Sequence, residues 1–79
     1  MIKKLNIFIT GGAGYIGSML ATDLVKLGHI VTVLDNLTYT KNSLSHLKKK
    51  KNFKLIVGNV LNKTLMKKLI KNQDFIIPL

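Results

Sequence analysis

The stretch Ile7-Phe8-Ile9-Thr10-Gly11-Gly12-Ala13-Gly14-Tyr15-Ile16-Gly17 decides the fold. A short apolar run ends in a glycine-rich turn, and the turn opens into a segment with helical apolar spacing. That order predicts the strand, turn and helix of a dinucleotide-binding βαβ unit. Gly11 lets the chain leave the strand in a tight turn. Gly14 has no side chain, so a pyrophosphate can approach the backbone, and Gly17 lets the helix pack closely on the strand. The free N–H groups of the first helical turn, at Tyr15 and Ile16, would face the phosphates, whose charge the helix dipole favours.

Working outward, Ile30-Val31-Thr32-Val33-Leu34 is β-branched and continuously apolar, as in a buried parallel strand. Asp35 ends it, 24 residues after Gly11. An offset of about 20 is the one at which a carboxylate meets the ribose of a dinucleotide. A carboxylate there accepts from both ribose hydroxyls and repels a 2′-phosphate, which favours NAD over NADP. A turn-forming Asp ahead of Asn36 is the alternative.

Thr10-Gly11-Gly12-Ala13-Gly14-Tyr15-Ile16-Gly17, with its Gly-x-x-Gly-x-x-Gly spacing, resembles the fingerprint of the short-chain dehydrogenase/reductase superfamily. It is most similar to the extended, UDP-glucose 4-epimerase-like branch of NAD-dependent nucleotide-sugar epimerases and dehydratases. Asp35-Asn36-Leu37 is similar to the Asp-Asn-Leu of that family, and the resemblance implies that this segment wraps the adenosine ribose and adenine. Gly58-Asn59-Val60 stands where the family reads Gly-Asp-(Ile/Val/Leu), whose Asp binds the adenine amino group. Asn59 departs from that pattern; its carbonyl still accepts a hydrogen bond but brings no charge, and a plain turn Asn is the alternative.

The family's chemistry rests on a Ser or Thr and a Tyr-x-x-x-Lys pair. Tyr15 is followed four residues on by Met19, and Tyr39 by Ser43, so neither fits and no catalytic residue is assigned. The resemblance covers the whole chain but only the opening portion of the family's fold. Residues 1–79 are expected to form the N-terminal part of an NAD(P)-binding Rossmann domain, a fragment without the catalytic and substrate-binding portions. A nucleotide-sugar substrate is then expected only in a full-length parent.

The 79 residues make one small domain at most. A chain of this size buries only about 60% of its unfolded surface, so its core is marginal. Hydrophobic residues make up 47%, which fits a globular core and excludes a disordered tail. The absence of Cys excludes disulfides, zinc–thiolate sites and a cysteine nucleophile, and is compatible with the cytoplasmic location expected here. Met1-Ile2-Lys3-Lys4 before an apolar run imitates a secretory signal, but Thr10-Gly11-Gly12 interrupts the run too early. No stretch approaches the ~18 apolar residues of a membrane span.

The net charge is +10, and all 13 basic residues are Lys. Without Arg, bidentate base readout is disfavoured, and no aromatic residue interleaves with Lys48-Lys49-Lys50-Lys51 to stack bases. A solvated face is the expectation for that run, with nucleic acid disfavoured.

Along the chain, strands and helices alternate. Strand one covers Leu5 to Thr10. A helix from Tyr15 to Leu27 carries Ile16, Leu20, Leu24 and Leu27 on its inner face, with Gly28 as its cap. His29 is expected in a surface turn. Residues 38–42 form a polar loop, and Ser43 caps a short helix over Leu44 to Lys50, with Leu44 and Leu47 inward and His46 exposed. Strand three is Phe53 to Val57. A helix from Asn62 or Lys63 turns Leu65, Met66, Leu69 and Ile70 inward, with Met66 as core filler. Strand four covers Asp74 to Leu79. The expected fold is α/β, a Rossmann-type doubly wound parallel sheet of order 3-2-1-4, with right-handed crossovers and ligand over the carboxyl ends of the strands. The outer side of strand four is expected to be unpaired and to drive self-association.

Three functions stay open: the cofactor-binding portion of an epimerase or dehydratase working by transient hydride transfer to NAD; a stand-alone nucleotide-binding or regulatory module; and a basic polyanion-binding protein.

Overall fold

The computed structural model describes residues 3–11, 13–37 and 43–79. Gly12 and the loop at 38–42, with Tyr39 and Lys41, lie outside the described residues.

The order of elements is β1 (Asn6–Thr10), α1 (Tyr15–Lys26), β2 (Ile30–Asp35), a 3-10 turn (Ser45–Leu47), β3 (Phe53–Val57), α2 (Lys63–Ile70) and β4 (Phe75–Pro78). The four strands form one parallel sheet in the order β3-β2-β1-β4. Both central strands are apolar and β-branched or aromatic, as strands covered on two faces must be. Ile7, Ile9, Val31 and Val33 point to the side of α1, where they join Ala13, Ala21, Val25, Leu44, Leu47 and Phe53 in one core. Side chains alternate along a strand, so Phe8 and Leu34, both 0% exposed, lie on the opposite face. There Leu65 of α2 packs over Gly58 and Leu34; a Cβ on Gly58 would fall 2.8 Å from Leu65 Cδ2 and 3.2 Å from Leu34 Cδ1.

The inner face of α1 differs from the sequence expectation. Gly17, Ala21 and Val25 are its buried residues, flanked by the partly buried Leu20 and Leu24. Ile16 and Leu27 are 70% and 54% exposed. The three buried residues repeat every four positions, and two of them are the smallest available. Their face lets the helix axis approach the sheet, and hydrophobicity alone points to the wrong flank. The helix ends as expected at Gly28, with φ +93. Its N–H bonds Val25 O at 3.0 Å and the next N–H bonds Leu24 O at 3.1 Å, the paired closure of a Schellman cap.

His29 is buried, 7% exposed, and is not a surface turn residue. Its Nδ1 accepts the Leu5 N–H at 3.2 Å, and Asn52 Nδ2 bonds the His29 carbonyl at 2.8 Å. The ring lies under the chain entering β1, a partner 24 residues away that local sequence does not reveal. The short helix expected over Leu44 to Lys50 contracts to the single 3-10 turn, although Leu44 and Leu47 are buried as expected. Ser43 does not cap it; the hydroxyl donates to Ala13 O across the glycine turn. Helix α2 starts at an Asn62 cap whose side chain accepts the Leu65 N–H at 3.1 Å. None of its residues is fully buried, and Ile70 is 42% exposed.

Strand β4 is tied down at both ends. Asp74 accepts the Asn6 N–H at 2.7 Å, and the Leu79 N–H bonds Thr10 O at 3.0 Å. N–H directions alternate along a strand, so the Pro78 position lacking an N–H faces the outer side. Ile76 alone supplies a donor there within β4, which blunts that edge.

Helix α1 gives a direct test. Ala21→Leu should lower stability by about 1–3 kcal/mol through overpacking, whereas Ile16→Ser should stay within about 0.5 kcal/mol. Urea unfolding followed by circular dichroism measures both.

Candidate functional site

The carboxyl ends of the strands meet where the strand order reverses, between β1 and β4. An open cleft of about 530 Å³ lies there. It brings together Gly11, Asp35, Asn36, Asn59 and Val60 from the residues singled out in the sequence. Thr10, Leu34, Met66, Ile76, Pro78 and Leu79 line it as well and are not legible as site residues from local motifs. The signal for them is the strand order itself, which places the end of β4 beside the end of β1.

Gly11 sits at the junction. Its N–H bonds Leu34 O at 2.8 Å, and φ is +76, a region that L side chains avoid. A Cβ there would stand 3.1 Å from Leu79 O. Two independent demands therefore select glycine: the turn and the close approach of β4.

Gly14 is different. It is the N-cap of α1 with φ −72 and ψ 178, which any residue adopts. Among the described residues, a Cβ there would meet nothing nearer than Gly11 O at 3.9 Å. Neither packing nor backbone geometry requires glycine, and the space beside it stays open. Among the described residues no side chain caps α1, and no acidic residue lies in its first turn. Within α1 itself nothing offsets the positive end of the helix dipole; the carboxylate nearest in hydrogen bonding is Asp35, on the Ala13 N–H just before the N-cap. Tyr15 and Ile16 extend outward here, 81% and 70% exposed; neither they nor Gly14, Gly17 and Leu37 are among the residues that line the cleft. Gly17 is buried on the sheet side of α1 and serves packing.

Asp35 ties the two loops of the site together. Its Oδ2 accepts the Ala13 N–H at 3.0 Å, and its Oδ1 accepts the Leu37 N–H at 2.7 Å. A carboxylate offers about four acceptor positions, so further hydroxyl donors can still be accommodated. The second bond holds Leu37 at φ +57, an unusual conformation for a branched residue. Leu37 packs on the core, leaving its side chain turned away from the cleft. Across the cleft, Asn59 Oδ1 accepts the Leu61 N–H at 2.8 Å, a local turn that fixes the amide orientation. Among the described residues, no group of three or more His, Cys, Asp or Glu could hold a metal.

The two glycines should separate in a stability assay. Gly11→Ala should cost about 2 kcal/mol or more, through positive φ and the Leu79 carbonyl. Gly14→Ala should cost less than about 1 kcal/mol, the scale of an altered N-cap. Thermal unfolding of the two variants checks the difference.

Residues 7–79 match the model of the NAD dependent epimerase/dehydratase family. The chain is 42% identical over 76 residues to a UDP-N-acetyl-alpha-D-glucosaminuronate decarboxylase of Bacillus cytotoxicus, covering 96% of this chain and 23% of that protein. It is 38% identical over 71 residues to the UDP-glucose 4-epimerase of Haemophilus influenzae, covering 86% of this chain and 21% of that one. Among solved structures, it superposes on Bordetella bronchiseptica WbmH in complex with NAD+ with a TM-score of 0.86 at 29% identity, covering 98% of this chain and 26% of that one. The dTDP-glucose 4,6-dehydratase of Bacillus anthracis, in complex with NAD, gives 0.84 at 28% identity, covering 95% and 26%. The chain thus spans about a quarter of the length of the proteins it matches. With its glycine turn, parallel sheet and strand order now matched along nearly its full length, the chain belongs to the NAD-dependent epimerase/dehydratase family.

Proposed function

We propose that this chain is the cofactor-binding portion of a nucleotide-sugar epimerase or dehydratase and that it binds NAD. The observation that carries this reading is the uncapped amino end of α1 beside the open space at Gly14. That geometry accepts a pyrophosphate: the N–H groups of Tyr15 and Ile16 donate, and the helix dipole stabilises the charge. Asp35 holds the adenosine ribose through its remaining acceptor positions. Asn36 and Leu37 shape the backbone around the ribose, while Asn59 and Val60 border the adenine. Gly11 and Gly17 position the turn and the helix without touching the ligand through side chains.

When bound, NAD supplies a hydride acceptor that can return the hydride to the same sugar. What this chain's residues do is bind and orient. The sugar substrate and the proton-transfer residues belong to the longer protein in this reading, so the 79 residues alone should show no turnover of a nucleotide sugar.

Gly14→Val places a branched side chain where the pyrophosphate would lie, on a backbone that tolerates it. Calorimetry should show NAD binding lost in a variant whose circular dichroism is unchanged; unaltered NAD affinity would place the phosphates elsewhere. Wild-type chain should bind NADP at least about tenfold more weakly than NAD, because Asp35 faces the 2′-phosphate with like charge. Equal or tighter NADP binding would remove Asp35 from the ribose.

A further inference from the structure

A second cleft, of about 350 Å³, lies at the opposite end of α1 from the glycine turn. Helix α1 has 12 residues, so its two ends are separated by roughly 18 Å along the axis. The cleft is bounded by Lys26 on α1, by His46 on the 3-10 turn, and by Lys50, which follows that turn. Its floor includes the buried Val25 and Leu47. Two lysines and a histidine from two separate segments thus border one concavity. Much of the Lys48–Lys51 run is not part of it: only Lys50 reaches the cleft.

Side-chain hydrogen bonds order the polar surroundings of the cleft. The Thr22 hydroxyl donates to Ser18 O at 2.7 Å, which leaves Thr22 Oγ1 as acceptor for His46 Nε2 at 2.8 Å. The ring is therefore fixed with its Nε2–H on Thr22. Carbonyls at the carboxyl end of a helix would repel an anion. Here Asn52 Nδ2 covers one of them, Val25 O at 3.1 Å, and also bonds the His29 carbonyl beyond the cap at 2.8 Å. The one carboxylate nearby is Asp23, which borders an adjoining depression on the other side of His46.

We propose that this cleft binds a phosphate group, held by the ammonium groups of Lys26 and Lys50 beside the His46 ring. The same chemistry is presented by free phosphate and by the backbone of a nucleic acid. The site is separate from the dinucleotide crevice and does not depend on it.

The test uses the whole chain, with ionic strength held fixed within each titration and varied between titrations. The chain has two histidines, so the ring Cε1–H resonances of His46 and the buried His29 separate cleanly. Titration with inorganic phosphate should shift His46 saturably and leave His29 in place. Lys26→Gln with Lys50→Gln should weaken that binding about tenfold or more, as expected for losing two charge-assisted contacts. Lys67→Gln with Lys68→Gln on α2 removes the same charge far from the cleft and should change it less than about twofold. A parallel titration with a dT12 oligonucleotide distinguishes the source. A salt slope of several charges with tighter binding than phosphate assigns the site to nucleic acid; a slope near one assigns it to free phosphate. Equal weakening by both lysine pairs, or no saturable His46 shift, would overturn the proposal.

Discussion

Everything in this fold converges on the backbone at Gly11. One residue must donate to β2, leave room for the end of β4 and begin the turn that leads to α1. The N–H of Gly11 meets Leu34 O, its left-handed φ makes the turn, and the missing Cβ admits Leu79 O. This is where the strand order changes direction, and a crevice opens at such a point because neighbouring connections run to opposite sides. The cleft lined by Gly11, Asp35 and Asn59 is a consequence of that topology.

The chain is strongly cationic, yet the site is governed by one carboxylate. Two of the three aspartates hold backbone N–H groups: Asp74 at the start of β4, and Asp35 between the glycine turn and the loop after β2. Asp35 therefore has a structural role before any ligand arrives. It fixes the spacing of the two loops that would enclose a ribose. The surrounding positive field favours the approach of anionic ligands in general, while in the proposed binding mode Asp35 would face a 2′-phosphate with like charge.

Much of this was legible in the sequence. The Ile7–Gly17 stretch, the apolar run ending at Asp35 and the spacing between them determine β1, α1, β2 and their connection. With a third strand and a fourth, they imply the observed order β3-β2-β1-β4. What local pattern could not supply were partners distant in sequence. His29 read as a turn residue because its acceptor role toward Leu5 arises only when β1 and β2 pair. Ser43 read as a helix cap because the carbonyl it meets, that of Ala13, belongs to another loop. The face of α1 was misplaced because close packing rewards the small Gly17 and Ala21 over the larger Ile16. In the site, Met66 and Leu79 carry no chemical signature and enter only through topology.

The central claim is that the amino end of α1 and the end of β2 together hold a dinucleotide. The most direct measurement is the backbone amide spectrum of isotopically labelled chain during titration with NAD. Saturable shifts are expected at Gly14, Tyr15, Ile16 and Gly17, together with Asp35 and Asn59, and little change at His46 and Lys50. A folded chain whose first-turn amides of α1 do not move at saturating NAD would contradict it.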